Sequence, residues 1–286
     1  MSGGREPAVI RTPGEMAAWA EAARARGERI AFVPTMGALH AGHVSLLEEG
    51  RRRGDQLALS IFVNPAQFAP TEDLARYPRD LPGDLAKAAS AGTDVAYCPE
   101  PASVYPPGYQ TYVEVREAAQ GLDGASRPGH FVGVATVVCK LFNVVRPHVA
   151  LFGEKDFQQL AVVRRMAADL DTGVEIVGMP IVREPDGLAM SSRNAYLSPD
   201  ERRRALALSR GLVAARRRAE GGERDAAALV ATARAIVEAA ADRVDYVELR
   251  DAATLAAVSR LERDAVLLVA AFVGRTRLID NVRLAP

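Results

Sequence analysis

Short apolar runs alternate with segments of helical spacing through the first two thirds of the chain. The helical spacing predicts helices over 44–54, 130–147 and 156–170. The apolar runs predict strands at 29–34, 57–63, 94–98, 111–115, 149–152 and 174–182. Such alternation is typical of parallel sheets, because each helix carries the chain back to the start of the next strand. We therefore predict an α/β fold with a doubly wound parallel sheet over residues 1–182.

The pattern changes after about Val182. Two charged, Ala-rich amphipathic segments at 199–219 and 225–241 predict helices, which Gly221 and Gly222 separate. Three apolar runs follow and predict strands at 245–250, 265–273 and 276–284. We therefore predict a second, smaller α+β domain over residues 183–286.

Composition and charge narrow the function. The chain of 286 residues is 49% hydrophobic, and its 36 basic residues balance its 36 acidic ones. This composition favours a folded core and gives no net attraction to nucleic acid or to anionic membranes. No signal-peptide core or membrane-length apolar run is evident, so we expect a cytoplasmic protein. Cys98 and Cys139 lie in no paired spacing and are predicted to be buried, unpaired thiols.

The stretch PTMGALHAGH follows the first of these strands and precedes a helix. Gly37 and Gly42 permit tight turns, and His40 and His43 lie on either side of the predicted helix start. Helix amides and imidazoles are suited to binding a polyphosphate. The simpler alternative is a polar helix cap. A zinc site would need a third ligand, and His130 and His148 lack partners in a recognised metal spacing.

Two further stretches carry candidate phosphate ligands. In GEKDFQQL, Gly153 ends a strand, Lys155 and Asp156 follow in the turn, and Gln159 comes one helical turn later. Lysine provides a charge for phosphate, and Asp and Gln side chains can bind hydroxyl groups. In MSSRN, two hydroxyls precede an arginine near the domain boundary, in a loop that could close over phosphates. Solvated surface side chains and a helix cap, respectively, are the alternatives.

A fourth stretch follows the strand at 57–63. Asn64 and Gln67 are neutral polar residues beside the apolar Phe62, Val63 and Phe68. Apolar walls with a few polar groups are typical of small-molecule pockets. A small, branched hydroxy acid would suit this one.

Together these four stretches resemble the pantoate–β-alanine ligase family, in order, from about Ile30 to the C-terminus. PTMGALHAGH is similar to that family's form of the HxGH nucleotide-binding motif, and GEKDFQQL and GLAMSSRN are more particular to it. The resemblance implies a Rossmann-like N-terminal domain of the nucleotidyltransferase type that forms a homodimer, and a smaller C-terminal domain over the site. It also implies that pantoate reacts with ATP and Mg²⁺ to give pantoyl adenylate, from which β-alanine displaces AMP.

The resemblance further implies roles for individual residues. The implied catalytic residues are His40, His43, Lys155, Ser191, Ser192 and Arg193. The implied ATP-binding residues also include Pro34, Thr35, Met36, Gly37, Gly42, Gly153, Asp156, Val182 and Met190. Pantoate would contact Gln67, Gln159, Pro34, Met36 and Phe62, with Asn64, Tyr77, Arg127 and His130 as weaker candidates. Of the family's acidic pair on the magnesium side, only the second member is present, because Gly83 precedes Asp84.

Three other functions stay open at this stage. A nucleotidyltransferase would share the HxGH loop, but its acceptor phosphate would need basic residues that 64–67 lacks. A tRNA-linked enzyme would need a basic domain or face, which the charge balance does not indicate. A non-catalytic nucleotide-binding regulator would need the glycines but not the histidines, Lys155 and the Ser-Ser-Arg loop together.

Overall fold

The computed structural model describes residues 5–69 and 72–286. The first four residues, on which part of the expectation about a signal peptide rests, and Pro70 and Thr71 lie outside the described residues. The strands are β1 Ala8–Ile10, β2 Ile30–Thr35, β3 Gln56–Ile61, β4 Val95–Tyr97, β5 Val149–Gly153, β6 Glu175–Met179, β7 Arg243–Asp251, β8 Ala265–Val273 and β9 Thr276–Leu284. The helices are α1 Pro13–Ala25, α2 Ala41–Arg53, α3 Leu81–Ser90, α4 Pro101–Val104, α5 Leu122–Ser126, α6 His130–Val145, α7 Phe157–Asp169, α8 Pro199–Glu220 and α9 Ala226–Glu238.

The chain divides into two compact units. The first contains Met1–Glu154 and Val162–Pro180, and the second contains Lys155–Ala161 and Ile181–Pro286. The chain therefore passes between them three times, once within α7. The boundary of independently folding domains after residue 182 stays a prediction.

The first unit is built on a parallel sheet. Over the described residues its strand order is β1-β4-β3-β2-β5-β6, and every neighbouring pair is parallel. The chain moves outward from β2 through β3 to β4 on one side, and then returns to add β5 and β6 on the other. The predicted doubly wound sheet is thus confirmed.

Apolar side chains explain the position of the central strands. Residues Ile30 to Val33 of β2 are fully buried, as are Leu57 to Leu59 of β3 and Val149 to Leu151 of β5. Parallel strands covered by helices on both faces require such continuous apolar runs. The helix α2 packs closely on this sheet, because a Cβ at Gly50 would lie 2.7 Å from Cδ1 of Leu57.

The second unit contains an antiparallel sheet of order β7-β8-β9, which packs with α8 and α9. A capping box between Ser198 and Glu201 begins α8, and Pro199 occupies its first turn. Leu208 and Leu212 from this helix are buried with Leu229 of α9 and Leu267 of β8. The predicted pair of helices and three strands is confirmed.

One predicted strand is wrong. Residues 111–115 have no strand pairing in the part of the chain that the structure describes. The amide of Val113 donates instead to Oγ1 of Thr136 in α6, at 2.9 Å. A side chain thus takes the place of a neighbouring strand.

Some elements escaped the sequence analysis, and one thiol is more exposed than predicted. The strand β1 and the helices α1 and α3 were not predicted, since short runs rich in Ala, Gly and charge give weak periodicity. Cys98 is buried as predicted, whereas Cys139 is only half-buried. Across residues 5–69 and 72–286, the structure has no helix with the length and apolarity that a membrane span requires.

Candidate functional site

The order in which strands are added to the sheet reverses between β2 and β5. The described ladder between these strands pairs Ala31 with Val149 and Phe32 with Ala150. In contrast, β2 stays paired with β3 up to Thr35, and β5 stays paired with β6 up to Gly153. The carboxyl ends of β2 and β5 thus extend past their shared ladder, at the position where open α/β sheets bind ligands.

Each unit contains part of the predicted site. In the first unit, the residues lie at the ends of β2 and β5, in the segments after β2 and β3, or on α2 and α3, and they are Pro34, Thr35, Met36, Gly37, His40, Gly42, His43, Phe62, Gln67, Asp84 and Gly153. In the second unit they are Lys155, Asp156, Gln159, Val182, Met190, Ser191, Ser192 and Arg193.

The loop after β2 has an unusual backbone. Gly37 and Ala38 have φ angles of 85° and 51°, so two consecutive residues adopt the left-handed region. For Ala38 this conformation costs about 1 kcal/mol, because it has a side chain. Thr35 supports the turn: its hydroxyl donates to the carbonyl of Ser60 at 2.7 Å and accepts from the Gly37 amide at 3.1 Å.

Asp84 holds this loop from α3. Its side chain is buried, and its two oxygens accept from the amides of Ala38 at 2.8 Å and Leu39 at 2.6 Å. Burial raises the pKa of the carboxyl group, against the effect of these two amide donors. Each oxygen therefore accepts an amide hydrogen inside the protein, so Asp84 anchors the loop, and its role on the magnesium side stays a prediction.

The two histidines lie where α2 begins. His40 is the N-cap, and its ring stacks on that of His43 with centroids 4.1 Å apart and planes at 28°. Nδ1 of His43 accepts from the His40 amide at 3.3 Å. In the neutral imidazole, the proton then lies on Nε2, which becomes a donor. Together with the amides of the first helical turn, this donor can bind an anionic group.

A second group of polar residues follows β3. The turn Pro65–Gln67 buries Gln67, whose Nε2 lies 3.1 Å from Sδ of Met36 in the loop after β2. Its Oε1 accepts from Nδ2 of Asn64 at 3.0 Å. Phe62 is buried at the end of the preceding strand. The structure thus brings Gln67 and Met36 together, and their contact with pantoate stays a prediction.

His130 holds the backbone of the same turn. Its Nδ1 lies 2.8 Å from the carbonyl oxygen of Gln67 and must donate, since a carbonyl only accepts. Its Nε2 then accepts from Arg127 at 2.9 Å, and Arg127 forms a two-pronged ion pair with Glu72. Burial, with help from the Arg127 cation, lowers the pKa of His130 to about 4. His130 is therefore neutral near pH 7. Tyr77, another weak candidate, is buried.

In the second unit, the segment that carries Lys155 and Asp156 is held from β9. Nζ of Lys155 lies 3.8 Å from Oδ2 of Asp156, and the backbone carbonyl of Lys155 accepts from Nδ2 of Asn281 at 3.0 Å. The neighbouring Asp280 is buried, and its two carboxylate oxygens accept hydrogen bonds from Nη1 and Nη2 of Arg183, at 2.7 and 2.9 Å. Burial raises the pKa of Asp280.

The sequence analysis missed Asp280 and Asn281. A strand with one buried face alternates apolar and polar residues, so two adjacent polar residues within the predicted strand were the available signal. Both lie within β9 and are almost fully buried.

The Ser-Ser-Arg loop is also fixed by its neighbours. Oγ of Ser191 accepts from the Arg193 amide at 3.3 Å, so this serine does cap the short turn Ser192–Tyr196. Nδ2 of Asn194 donates to Glu184 at 2.6 Å and to the Ala189 carbonyl at 3.0 Å. The cap alternative thus accounts for one contact of Ser191. The half-buried Ser192 and Arg193 follow it in the same turn.

The remaining predicted residues of the second unit occupy defined positions. The Met190 amide donates to the Val182 carbonyl at 3.0 Å, which joins the two residues. Gln159 is half-buried in the first turn of α7. Among residues 5–69 and 72–286, no cluster of three or more His, Cys, Asp or Glu side chains is placed to hold a metal ion.

Comparisons with known proteins agree with this geometry. The family model of pantoate-beta-alanine ligase matches residues 8–283. A pantothenate synthetase from Anaeromyxobacter dehalogenans is 65% identical over 287 residues, which cover 98% of this chain and 99% of that protein. The crystal structure of pantothenate synthetase from Thermus thermophilus has a TM-score of 0.92 at 44% identity, over 98% of this chain and 100% of that one. A Francisella tularensis pantoate-beta-alanine ligase, complexed with beta-gamma ATP and beta-alanine, has a TM-score of 0.79 at 31% identity, over 96% and 97% of the two chains.

The role of Asp84 can be tested by Asp84→Asn. The substitution keeps the shape of the side chain but turns one acceptor into a donor, so one of the two amides of the loop loses its partner. We expect the free energy of unfolding to fall by about 1–3 kcal/mol. Hydrogen exchange at the Ala38 and Leu39 amides should become faster.

Asp80→Asn is the matched control for this change. It removes the same charge from the start of the same helix, where the Asp80 carboxylate caps Gly83 and asparagine is an equally good cap. Exchange at Ala38 and Leu39 should stay at the wild-type rate. Unchanged protection in Asp84→Asn would contradict the anchoring role.

The low pKa of His130 predicts that the folded protein loses stability at acid pH. The pKa is about 4 in the folded protein, against an ordinary value of 6.5 for histidine, so the folded state favours the neutral form. The resulting stabilisation is fully present above pH 6.5 and is lost as the pH falls towards about 4. Its size is roughly 3 kcal/mol. Denaturant unfolding across this range should show a slope that His130→Gln reduces, while an equal slope in both proteins would refute the assignment.

Proposed function

Because the chain belongs to the pantoate-beta-alanine ligase family, we propose that it condenses pantoate with β-alanine in an ATP-dependent reaction. The products are pantothenate, AMP and pyrophosphate, and the intermediate is pantoyl adenylate. This proposal rests on the family match over residues 8–283. The HxGH loop within this range leads into α2, beside the position at which the strand order of the sheet reverses.

In the first step, a carboxylate oxygen of pantoate attacks the α-phosphorus of ATP. The bond from that phosphorus to the bridging oxygen breaks, and pyrophosphate leaves with the electron pair. Negative charge grows on the phosphoryl oxygens, so fixed donors accelerate the step. His40, His43 and the first amides of α2 provide such donors. The Nδ1 contact of His43 supports this role, since it leaves the proton of the neutral ring on Nε2.

The second unit supplies further groups to the same reaction. Lys155, Ser191, Ser192 and Arg193 bind the phosphates and stabilise the transition state. Asp156 and the backbone at Gly153, Val182 and Met190 hold the nucleoside. The contacts of Asn281 and Asn194 support these roles, because they fix the backbone that carries Lys155 and the Ser-Ser-Arg turn.

Both polar and apolar side chains hold pantoate. Gln67 and Gln159 bind its hydroxyl and carboxylate oxygens, and Pro34, Met36 and Phe62 form the apolar wall. The contact of Gln67 with Met36 at 3.1 Å supports the first half of this assignment. Buried apolar side chains beside a few polar groups suit a branched acid.

Magnesium enters with ATP as part of the substrate, since ATP binds this cation through its phosphates. Asp84 stays the proposed contact on the magnesium side and also holds the loop, since each of its carboxylate oxygens accepts one amide hydrogen and keeps a further lone pair. In the second step, the β-alanine amine attacks the acyl carbon of the adenylate after its ammonium group loses a proton, and AMP leaves.

The reaction is tested by pyrophosphate release from ATP and Mg²⁺ with pantoate, followed by addition of β-alanine. We expect release to depend on pantoate, and AMP and pantothenate to form on addition of β-alanine. His43→Ala should lower kcat by about 10²–10³, the loss typical of a removed transition-state donor.

His148→Gln is the matched control, since it removes an imidazole at the amino end of β5, away from the loop after β2. Its activity should stay within a few-fold of wild type. Release without pantoate would refute the substrate and favour a nucleotidyltransferase. No release at all would favour a non-catalytic nucleotide-binding protein.

We further propose a cytoplasmic homodimer that forms through the first unit. Tyr112 supports this, because it is a large hydrophobic residue of the first unit that is 58% exposed. Sedimentation equilibrium should give twice the mass of the chain, and Tyr112→Asp should shift the protein towards monomer. Leu170→Asp changes another exposed apolar residue of the first unit and should leave the dimer intact. A monomeric wild-type protein, or dissociation in the Leu170 variant alone, would contradict the proposal.

A further inference from the structure

Asn64 is buried and uses all of its hydrogen-bonding capacity inside the first unit. Only 1% of the residue is exposed. Its Nδ2 donates to the Gly133 carbonyl at 3.1 Å and to Gln67 at 3.0 Å, and its Oδ1 accepts from the Ala66 amide at 3.2 Å and from Tyr105 at 2.8 Å. An amide group offers two donors and two lone pairs, so no capacity is left for a ligand.

Contacts with the backbone identify which atom of the Asn64 side-chain amide is the oxygen and which is the nitrogen. The Ala66 amide can only donate, so the atom that faces it must be the oxygen. The Gly133 carbonyl can only accept, so the atom that faces it must be the nitrogen. These two backbone contacts therefore identify the oxygen and the nitrogen of the Asn64 side chain.

The orientation of Gln67 then follows from that of Asn64. Nδ2 of Asn64 must meet an acceptor, so it faces Oε1 of Gln67. This leaves Nε2 of Gln67 on the opposite side, against Sδ of Met36 at 3.1 Å. A thioether sulfur is only a weak acceptor, so the nitrogen remains a good donor for a ligand.

Tyr105 completes this chain of hydrogen bonds. Since Oδ1 of Asn64 only accepts, the hydroxyl of Tyr105 must donate to it. Burial raises the pKa of the hydroxyl, which keeps its proton in place. The ring also packs edge-on against Tyr109, with centroids 5.1 Å apart, so its position is defined.

We propose that Tyr105 is a positioning residue that acts through Asn64 and sets Gln67 to present only N–H to the ligand. The ligand group that meets Gln67 is then a hydrogen-bond acceptor, namely a carboxylate or hydroxyl oxygen of the hydroxy acid, and not an ammonium group. This inference rests on the proposed function, because it assigns the polarity of the contact between Gln67 and pantoate.

The first test is Tyr105→Phe, which removes the donor and keeps the ring. We expect the KM for pantoate to rise about fivefold, the size typical of one hydrogen bond, with the KM for ATP and for β-alanine unchanged. In a Gln67→Ala background, Tyr105→Phe should have no further effect on the KM for pantoate. A purely structural role of the hydroxyl would instead give the same loss in both backgrounds.

The second test reverses the polarity with Asn64→Asp. Aspartate presents an acceptor where Nδ2 was, so Gln67 must turn its nitrogen inward and its oxygen towards the ligand. Pantoate-dependent kcat/KM should fall at least about 100-fold, which is more than the loss of one neutral hydrogen bond. Asn143→Asp makes the same change at an exposed position of α6 and should leave kcat/KM unaltered.

The outcomes separate this proposal from the proposed function. If the wild-type protein shows no pantoate-dependent release of pyrophosphate, the proposed function fails. If the wild type is active but the effects of Tyr105→Phe and Gln67→Ala add, or Asn64→Asp binds pantoate as well as wild type, the positioning role is overturned. Thermal unfolding of each variant shows whether a loss reflects misfolding. A Tyr105→Phe variant that keeps its stability and still loses affinity supports the proposal.

Discussion

The hydrogen bonds from the amides of Ala38 and Leu39 to Asp84 are the contacts on which the arrangement of the first unit depends. They hold a loop in which Gly37 and Ala38 both adopt the left-handed region, a conformation that a non-glycine residue adopts only when its surroundings enforce it. His40 caps α2 directly after this loop. The direction in which the helix amides and His43 point is therefore set by a carboxylate on α3.

The other functional loops are held in the same way, by a buried polar side chain from elsewhere in the same unit. His130 of α6 fixes the carbonyl of Gln67, and Asn281 of β9 fixes that of Lys155. Such contacts are strong because the groups are shielded from water, and each would be costly to leave unpaired. Donors that are held in place before the ligand arrives need no rearrangement during the reaction.

This arrangement explains what the sequence predicts and what it does not. Buried strands such as β2 and β5 are predicted because continuous apolar runs are a local signal, and the histidines and the Ser-Ser-Arg stretch follow from local motifs. The strand at 111–115 was predicted wrongly because pairing depends on a neighbour that the local pattern does not reveal. Asp280 and Tyr105 were missed for the same reason, since each acts on a residue far away in the sequence. The resemblance implied a place for Asp84 on the magnesium side, whereas its contacts with the Ala38 and Leu39 amides join residues too far apart in the sequence for the local pattern to reveal.

The buried contacts that hold these loops also affect the charge around the candidate site. The chain has no net charge, yet an ATP-binding site must attract polyanions. Three carboxylates near these loops are engaged internally: Asp84 by two amides, Glu72 by Arg127 and Asp280 by Arg183. The candidate donors beside them include Nε2 of His43 and Nε2 of Gln67. A protein without net charge can therefore still attract a polyanion locally, because these carboxylates are already paired with donors of the protein.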